Sequence, residues 1–176
     1  MSNSILYRTA EFESSGRTVY GTAVPFGEVI EVDDGQGPFR EMFEQGAFAR
    51  TIVERGTKVK LLTQHDRQKL AIGKASVLRE EAAGLYAEFD VAATRDGDEA
   101  LELVRSGTVD SFSIGFRVIR EHRERGVRVV AEASLWEVSL VNFPAYSNAL
   151  VGGVRAQSHL LIPKAVAERR LTLLDL

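Results

Sequence analysis

The stretch SFSIGFRV, Ser111 to Val118, alternates apolar and polar residues without interruption. Successive side chains of an extended strand point to opposite faces. Phe112, Ile114, Phe116 and Val118 therefore read as a core face, and Ser111, Ser113, Gly115 and Arg117 as the other face. Glycine weakens a strand interior. At position 115 it makes sense where another group has to approach the backbone closely.

A second stretch, LWEVSLV (Leu135 to Val141), has the same period. Trp136, Val138 and Leu140 mark one face; Leu135, Glu137, Ser139 and Val141 mark the other. The two stretches read as arms of a hairpin, with a three-residue loop Glu124-Arg125-Gly126 that puts Gly126 where positive φ is needed. That register sets Ser113 directly opposite Glu137, where facing Cβ atoms lie roughly 4.5–5.5 Å apart. A bulge near Ala131–Ser134 would break the register.

Outward from this hairpin, most of the chain also has period two. Arg17 to Phe26 reads as a strand ended by Pro25 and Gly27, and Asp33 to Pro38 as a loop. Arg40 to Arg55 suits a helix or two helical turns. Thr57 to His65 reads as a strand with Val59, Leu61, Thr63 and His65 on one face. Ala71–Leu78 and Gly84–Ala92 form a hairpin across Arg79–Ala83. Asp98 to Ser106 is a short helix with Asp96 or Asp98 as N-cap and Gly107 just past its end. Three strands follow: Ser111–Arg120, Val127–Ala131 and Leu135–Phe143. The expected class is α+β, built on an antiparallel sheet or barrel with short helices. Gly152-Gly153 reads as a linker, so residues 1–152 form the body and 153–176 an appendage. Pro163 stands near the start of a helix-forming run, Ala165 to Leu174.

Composition narrows the function. The chain has 176 residues, 44% hydrophobic and 27% charged, which suits one globular domain. Its 22 basic and 25 acidic residues leave a net charge of −3, against a nucleic-acid partner. Without cysteine there is no disulfide, zinc ribbon, Fe–S cluster or thiol nucleophile. The N-terminal residues do not form a secretory signal, and no apolar run reaches the ~18 residues of a membrane span, so a cytosolic-type domain is expected. Phosphate-binding loops, the HExxH helix and the GxSxG elbow are missing, and no metal or cofactor is expected.

Three residues remain as candidates for chemistry, each with a plain alternative. Ser113 is a nucleophile or a solvated serine on an amphipathic strand. His65 is a base or an ordinary surface or core histidine; Asp66, its neighbour in sequence, points the other way and is poorly placed to orient it. Glu137, flanked by Trp136 and Val138, needs a partner, which is a functional one or a structural salt bridge. His122 falls on the opposite face of its strand from Ser113.

Together these residues resemble a known family. FEQGAF (Phe43–Phe48), LLTQHD (Leu61–Asp66), Ile72-Gly73, GLYAEFDVAAT (Gly84–Thr94), RSG (Arg105–Gly107), VDSFSIGF (Val109–Phe116) and LWEVSLVNFPA (Leu135–Ala145) stand in the order and spacing of the prohead maturation proteases of tailed bacteriophages. The resemblance covers about Ile5 to Gly152. These are serine peptidases whose fold is similar to herpesvirus assemblin. The resemblance implies a small, orthogonally packed β-barrel wrapped by helices, with His65 as general base, Ser113 as nucleophile and Glu137 as third member. Assemblins use a second histidine in that last role, and neither His122 nor His159 falls in the matching strand. Gln45 stands where many relatives have proline.

The implied activity is endopeptidase cleavage of capsid and scaffolding proteins, and of the enzyme itself, inside a procapsid in the host cytoplasm. The implied partners are the major capsid protein and a scaffold segment as substrates, with a homodimer allowed and neither nucleic acid nor membrane. The tail would target the enzyme and be trimmed. Two rivals stay open: a catalytically silent barrel that binds capsid or scaffold, and a carboxylate-pair hydrolase using Glu137 with Asp66 or Glu132.

Overall fold

The computed structural model describes residues 16–33, 37–146 and 149–155. Its organising element is β8 (Val127–Val141), a 15-residue strand that takes partners along both edges. On one edge β7 (Ser111–Glu124) runs antiparallel. The other edge is shared by two parallel strands, β3 (Pro38–Phe43) at Val127–Val130 and β4 (Lys60–Thr63) at Glu137–Leu140. With β1 (Thr18–Pro25), β2 (Ile30–Asp33), β5 (Gly73–Glu81), β6 (Gly84–Val91) and β9 (Val151–Arg155), the order is β2-β3-β8-β4-β5-β6-β1-β9, and β7 lies off that path on β8.

Between its two parallel partners β8 would expose unpaired backbone groups, which are costly when buried. A turn and helix α1 (Ala49–Arg55) cover this gap. Ala133 N donates to Ala47 O at 2.8 Å. The buried Thr51 hydroxyl donates to Ala133 O at 3.0 Å and accepts from Leu135 N at 3.1 Å. The Glu80 carboxylate fixes the turn by accepting from Gly46 N and Phe48 N at 2.9 and 2.8 Å. The FEQGAF string is therefore the plug of a sheet edge.

Helix α2 (Arg95–Arg105) buries Gly97, Ala100, Leu101 and Val104. Fully buried Phe43, Phe48, Phe89, Phe112 and Leu135 anchor the core. Phe112 packs on Phe89 with ring centroids 5.9 Å apart. Truncating such a ring costs about 3–5 kcal/mol, and this anchorage holds the residue adjoining Ser113.

The α+β expectation stands, with several corrections. The sheet is mixed, because β3 and β4 both run parallel to β8. Its ladder does not close; an isolated bridge, Ser111 to Leu150, links β7 to the chain before β9. Arg40 to Phe43 is strand, not helix, and only Ala49–Arg55 of that stretch is α-helical. The N-cap of α2 is Thr94, whose hydroxyl accepts from Gly97 N at 3.2 Å. Asp96 and Asp98 occupy its first turn, where the helix dipole favours acids. Val127–Ala131 and Leu135–Phe143 belong to one continuous strand.

The boundary expected at Gly152-Gly153 falls inside β9, which pairs with β1 from Val151 to Arg155. These glycines fit a close approach: a Cβ on Gly152 would lie 2.9 Å from the Tyr20 ring. The remainder of the expected appendage, residues 156–176, lies outside the described residues. Among the described residues no helix is long and apolar enough to cross a membrane.

Candidate active site

The β7–β8 hairpin sets the floor of the site. Its turn has two residues, Arg125 and Gly126, with φ of 49° and 80°. Positive φ at both central positions is the I′ pattern that suits the twist of a hairpin. Shifts in the ladder follow at Ala131, Ile119 and Trp136. The last has the largest effect. Phe116 faces Leu135 while Gly115 faces Glu137, so Trp136 bulges out. Leu135 turns into the core, and Trp136 is left 47% exposed with Arg55 stacked 4.6 Å from its ring centroid. The expected register is thus replaced. Ser113 faces Ser139 and Gly115 faces Glu137. Ser113 and Glu137 still share one face, displaced along it by two residues.

His65 reaches that face by an unexpected route. Strand β4 ends at Thr63, and Gln64 and His65 both adopt left-handed backbone, with φ of 52° and 56°. For residues with side chains this conformation costs on the order of 1–3 kcal/mol each, and it recurs at functional sites. Hydrogen bonds hold the turn: Gln64 N donates to Leu140 O at 2.9 Å and Asp66 N to Thr63 O at 3.0 Å. His65 N donates to Ser139 Oγ at 3.1 Å.

The three candidates join in one chain of contacts. His65 Nε2 lies 2.8 Å from Ser113 Oγ, and His65 Nδ1 lies 2.7 Å from Glu137 Oε1. A carboxylate only accepts, so Nδ1 carries the proton and Nε2 is left to accept from the serine hydroxyl. The Glu137 side chain is 5% exposed and that of His65 40%. Glu137 Oε2 accepts from the Ser139 hydroxyl at 2.7 Å. Both carboxylate oxygens are therefore satisfied, as a buried acid requires.

Ser139, fully buried, was not singled out from the sequence. Its signal was present: it lies two residues from Glu137 on the same strand face. Its hydroxyl joins the His65 backbone to the Glu137 carboxylate, locking the base-bearing turn to its orienting acid.

The other candidates are engaged elsewhere. Asp66 Oδ1 accepts from Gln68 N at 3.0 Å, a local turn contact. Glu132 pairs with Arg50 and Arg120 at 3.5 and 3.8 Å. His122 is exposed near the hairpin tip, opposite Val129. His159 lies outside the described residues.

A model of the caudovirus prohead serine protease family matches residues 4–162. The chain belongs to that family. It is a serine protease of phage capsid maturation, and a prohead protease acts within the procapsid. Among solved structures this prohead protease is similar to the bacteriophage T4 capsid assembly protease, at 14% identity and a TM-score of 0.47, over 73% of this chain and 99% of that one. No curated protein matches it.

Proposed function

We propose that Ser113 is the nucleophile, His65 the general base and acid, and Glu137 the carboxylate that orients the imidazole. The observation that carries this reading is the chain from Ser113 Oγ through both ring nitrogens of His65 to Glu137 Oε1, at 2.8 and 2.7 Å. His65 Nε2 takes the hydroxyl proton as Oγ attacks a peptide carbonyl, then returns it to the leaving amine. Water repeats the sequence on the acyl-enzyme. Glu137 keeps its charge throughout, holding the proton on Nδ1 and stabilising the imidazolium as it forms. Ser139 is a positioning residue, because it fixes Glu137 and the His65 backbone without lying between serine and histidine.

Capsid and scaffold proteins are the substrates, cut inside the procapsid in the host cytoplasm, and self-cleavage belongs to the same reading. The segment after Arg155 targets the enzyme to scaffold or to a second copy. A barrel like that of assemblin is the corresponding fold. The Ser111–Leu150 bridge supports it, as do the bonds from Phe112 N to Ala149 O at 2.7 Å and from Val151 N to Asp110 O at 2.9 Å.

The test is a fluorophosphonate probe on the folded full chain, with peptide mapping of the adduct, followed by incubation with the capsid protein of the same phage. The expected adduct is on Ser113, with discrete capsid fragments. An adduct on another residue, or an intact capsid protein, overturns the assignment.

A further inference from the structure

The face of β7 that carries Ser113 continues through Gly115 to Arg117 and the bulged Ile119, because Phe112, Ile114, Phe116 and Val118 turn into the core. Across the ladder that face is met by Ser139, Glu137 and Ser134. Past Gly115 it opens into a cavity of about 250 Å³, lined by Arg117, Ile119 and Trp136 from the sheet and by Arg55 from α1. The two acids of the cavity wall are already paired. Glu54 accepts from Arg50 Nε at 2.8 Å, and Glu132 lies between Arg50 and Arg120. Among the described residues neither Arg55 nor Arg117 has a carboxylate partner. The cavity is thus a half-exposed Trp136 ring and an exposed Ile119 beside two uncompensated guanidinium groups.

His65 decides which part of a substrate comes over it. The ring is anchored at Nε2 by Ser113 Oγ and at Nδ1 by Glu137 Oε1, the oxygen that fills the space above Gly115. The imidazole therefore stands between Ser113 and the cavity. When a peptide is cut, Nε2 gives its proton to the leaving amine, so the leaving segment starts on the histidine side of Ser113. Arg117 is four strand residues farther on, about 13 Å at ~3.3 Å per residue. An extended leaving segment brings its third or fourth residue level with the cavity.

Taken with the catalytic assignment above, on which this inference rests, we propose that the Arg55–Arg117–Trp136 cavity is a substrate subsite for an aspartate or glutamate at the third or fourth residue after the cut bond. A carboxylate there accepts charge-assisted hydrogen bonds from guanidinium groups that have no acid of their own. The methylenes of the same side chain lie against Trp136 and Ile119, as the stems of long charged residues do on apolar surface. A lysine or arginine at that position meets two like charges instead. Arg117 is exposed, so the preference is moderate and weakens with salt.

The test incubates the full chain with a proteome-derived peptide library and reads the new termini by mass spectrometry. Aspartate and glutamate are expected to be enriched at the third or fourth position after the cut, with lysine and arginine depleted there. A matched pair of peptides, differing only by glutamate or glutamine at that position, then gives a ratio of kcat/KM. The ratio is expected to be about fivefold in favour of glutamate at low salt and to shrink toward one as salt is raised. Arg117→Glu, an exchange on an exposed side chain, should bring the ratio below one and turn the library preference toward lysine and arginine. Misfolding lowers both rates together and leaves the ratio alone. Fluorophosphonate labelling of both proteins reports the nucleophile independently of the subsite. Cleavage without acidic enrichment at these positions, or a ratio unmoved by Arg117→Glu, overturns the subsite. A chain that takes no label and cuts nothing overturns instead the catalytic assignment on which it rests.

Discussion

Gly115 lies directly across the β7–β8 ladder from Glu137, and a Cβ at position 115 would stand 2.2 Å from Glu137 Oε1. That same oxygen lies 2.7 Å from His65 Nδ1. The missing side chain is the space through which the carboxylate reaches the imidazole. The atoms displaced by a methyl group belong to the movable end of Glu137, so the chain can still fold around it. Gly115→Ala is expected to leave thermal unfolding within a few degrees of wild type while kcat falls about 10²–10⁴-fold, as when the tautomer-setting carboxylate is lost elsewhere. Wild-type activity in that variant would remove Glu137 from the mechanism.

Ser113→Ala and His65→Ala should each lower kcat/KM by several orders of magnitude. The double variant should be no worse than either single one, because the two groups act as a unit. Neither residue is buried, so chemical denaturation midpoints should barely move. Additive losses in the double variant would show that serine and histidine work separately.

Glu137→Gln and Ser139→Ala separate orientation from support. Glu137→Gln removes charge and tautomer control and is expected to cost less than losing the nucleophile. Ser139→Ala leaves Glu137 Oε2 and His65 N–H without the partner they share. Each unsatisfied buried group costs about 1–3 kcal/mol, so this variant should lose stability measurably and activity about tenfold. Ser139→Thr, which keeps the hydroxyl, should recover part of the activity. If Ser139→Ala keeps full activity, Ser139 is only a packing residue.

What the sequence disclosed about this site follows from what period two can encode. Alternation in SFSIGFRV placed Phe112 in the core and Ser113 on the other face, and the lone glycine announced a close approach to the backbone. The approaching group, Glu137, was already among the candidates. The register was missed because a three-residue loop and the two-residue Arg125-Gly126 turn have the same composition, and nothing local marks Trp136 as a bulge. The left-handed turn at Gln64-His65 was also hidden. Neither residue marks a positive-φ turn as glycine does, and bonds to Ser139 and Leu140 from a strand far along the chain hold it there. The alternation does not mark Ile30–Val32 as a strand, and Arg40–Phe43 reads as the start of a helix because it gains its strand character from β2 and β8.

Tyr146 gives the protein an alkaline limit. Its phenol is raised in the fold, first by burial and then by Glu41. A raised group contributes stability that is intact below the unfolded phenol value of about 10, and that is lost as pH rises beyond it. Melting temperature should therefore decline from pH 9 to pH 11, and Tyr146→Phe should decline less steeply. Equal slopes in the two proteins would show that Tyr146 does not contribute.

The C-terminal boundary is tested by two truncations that differ by two residues. Val154 is buried at 3% exposure, and Arg155 pairs with the buried Glu88 while its guanidinium sits 5.2 Å from the Tyr20 ring. Removing residues 154–176 takes both away from β9. Losing the buried valine forfeits about 1.5 kcal/mol or more, and Glu88 is left without its cation, for a total on the order of 3 kcal/mol. At about 2–4 °C per kcal/mol for a chain of this size, the melting temperature should fall by roughly 6–12 °C. Removing only residues 156–176 leaves β9 whole, so cooperative unfolding and peptide cleavage should persist. If that segment carries the targeting role, the shorter enzyme will be active in solution yet missing from assembled procapsids, as an immunoblot of purified particles would read. Loss of the cooperative transition on removing 156–176 alone would place those residues in the folded body and end the tethering idea.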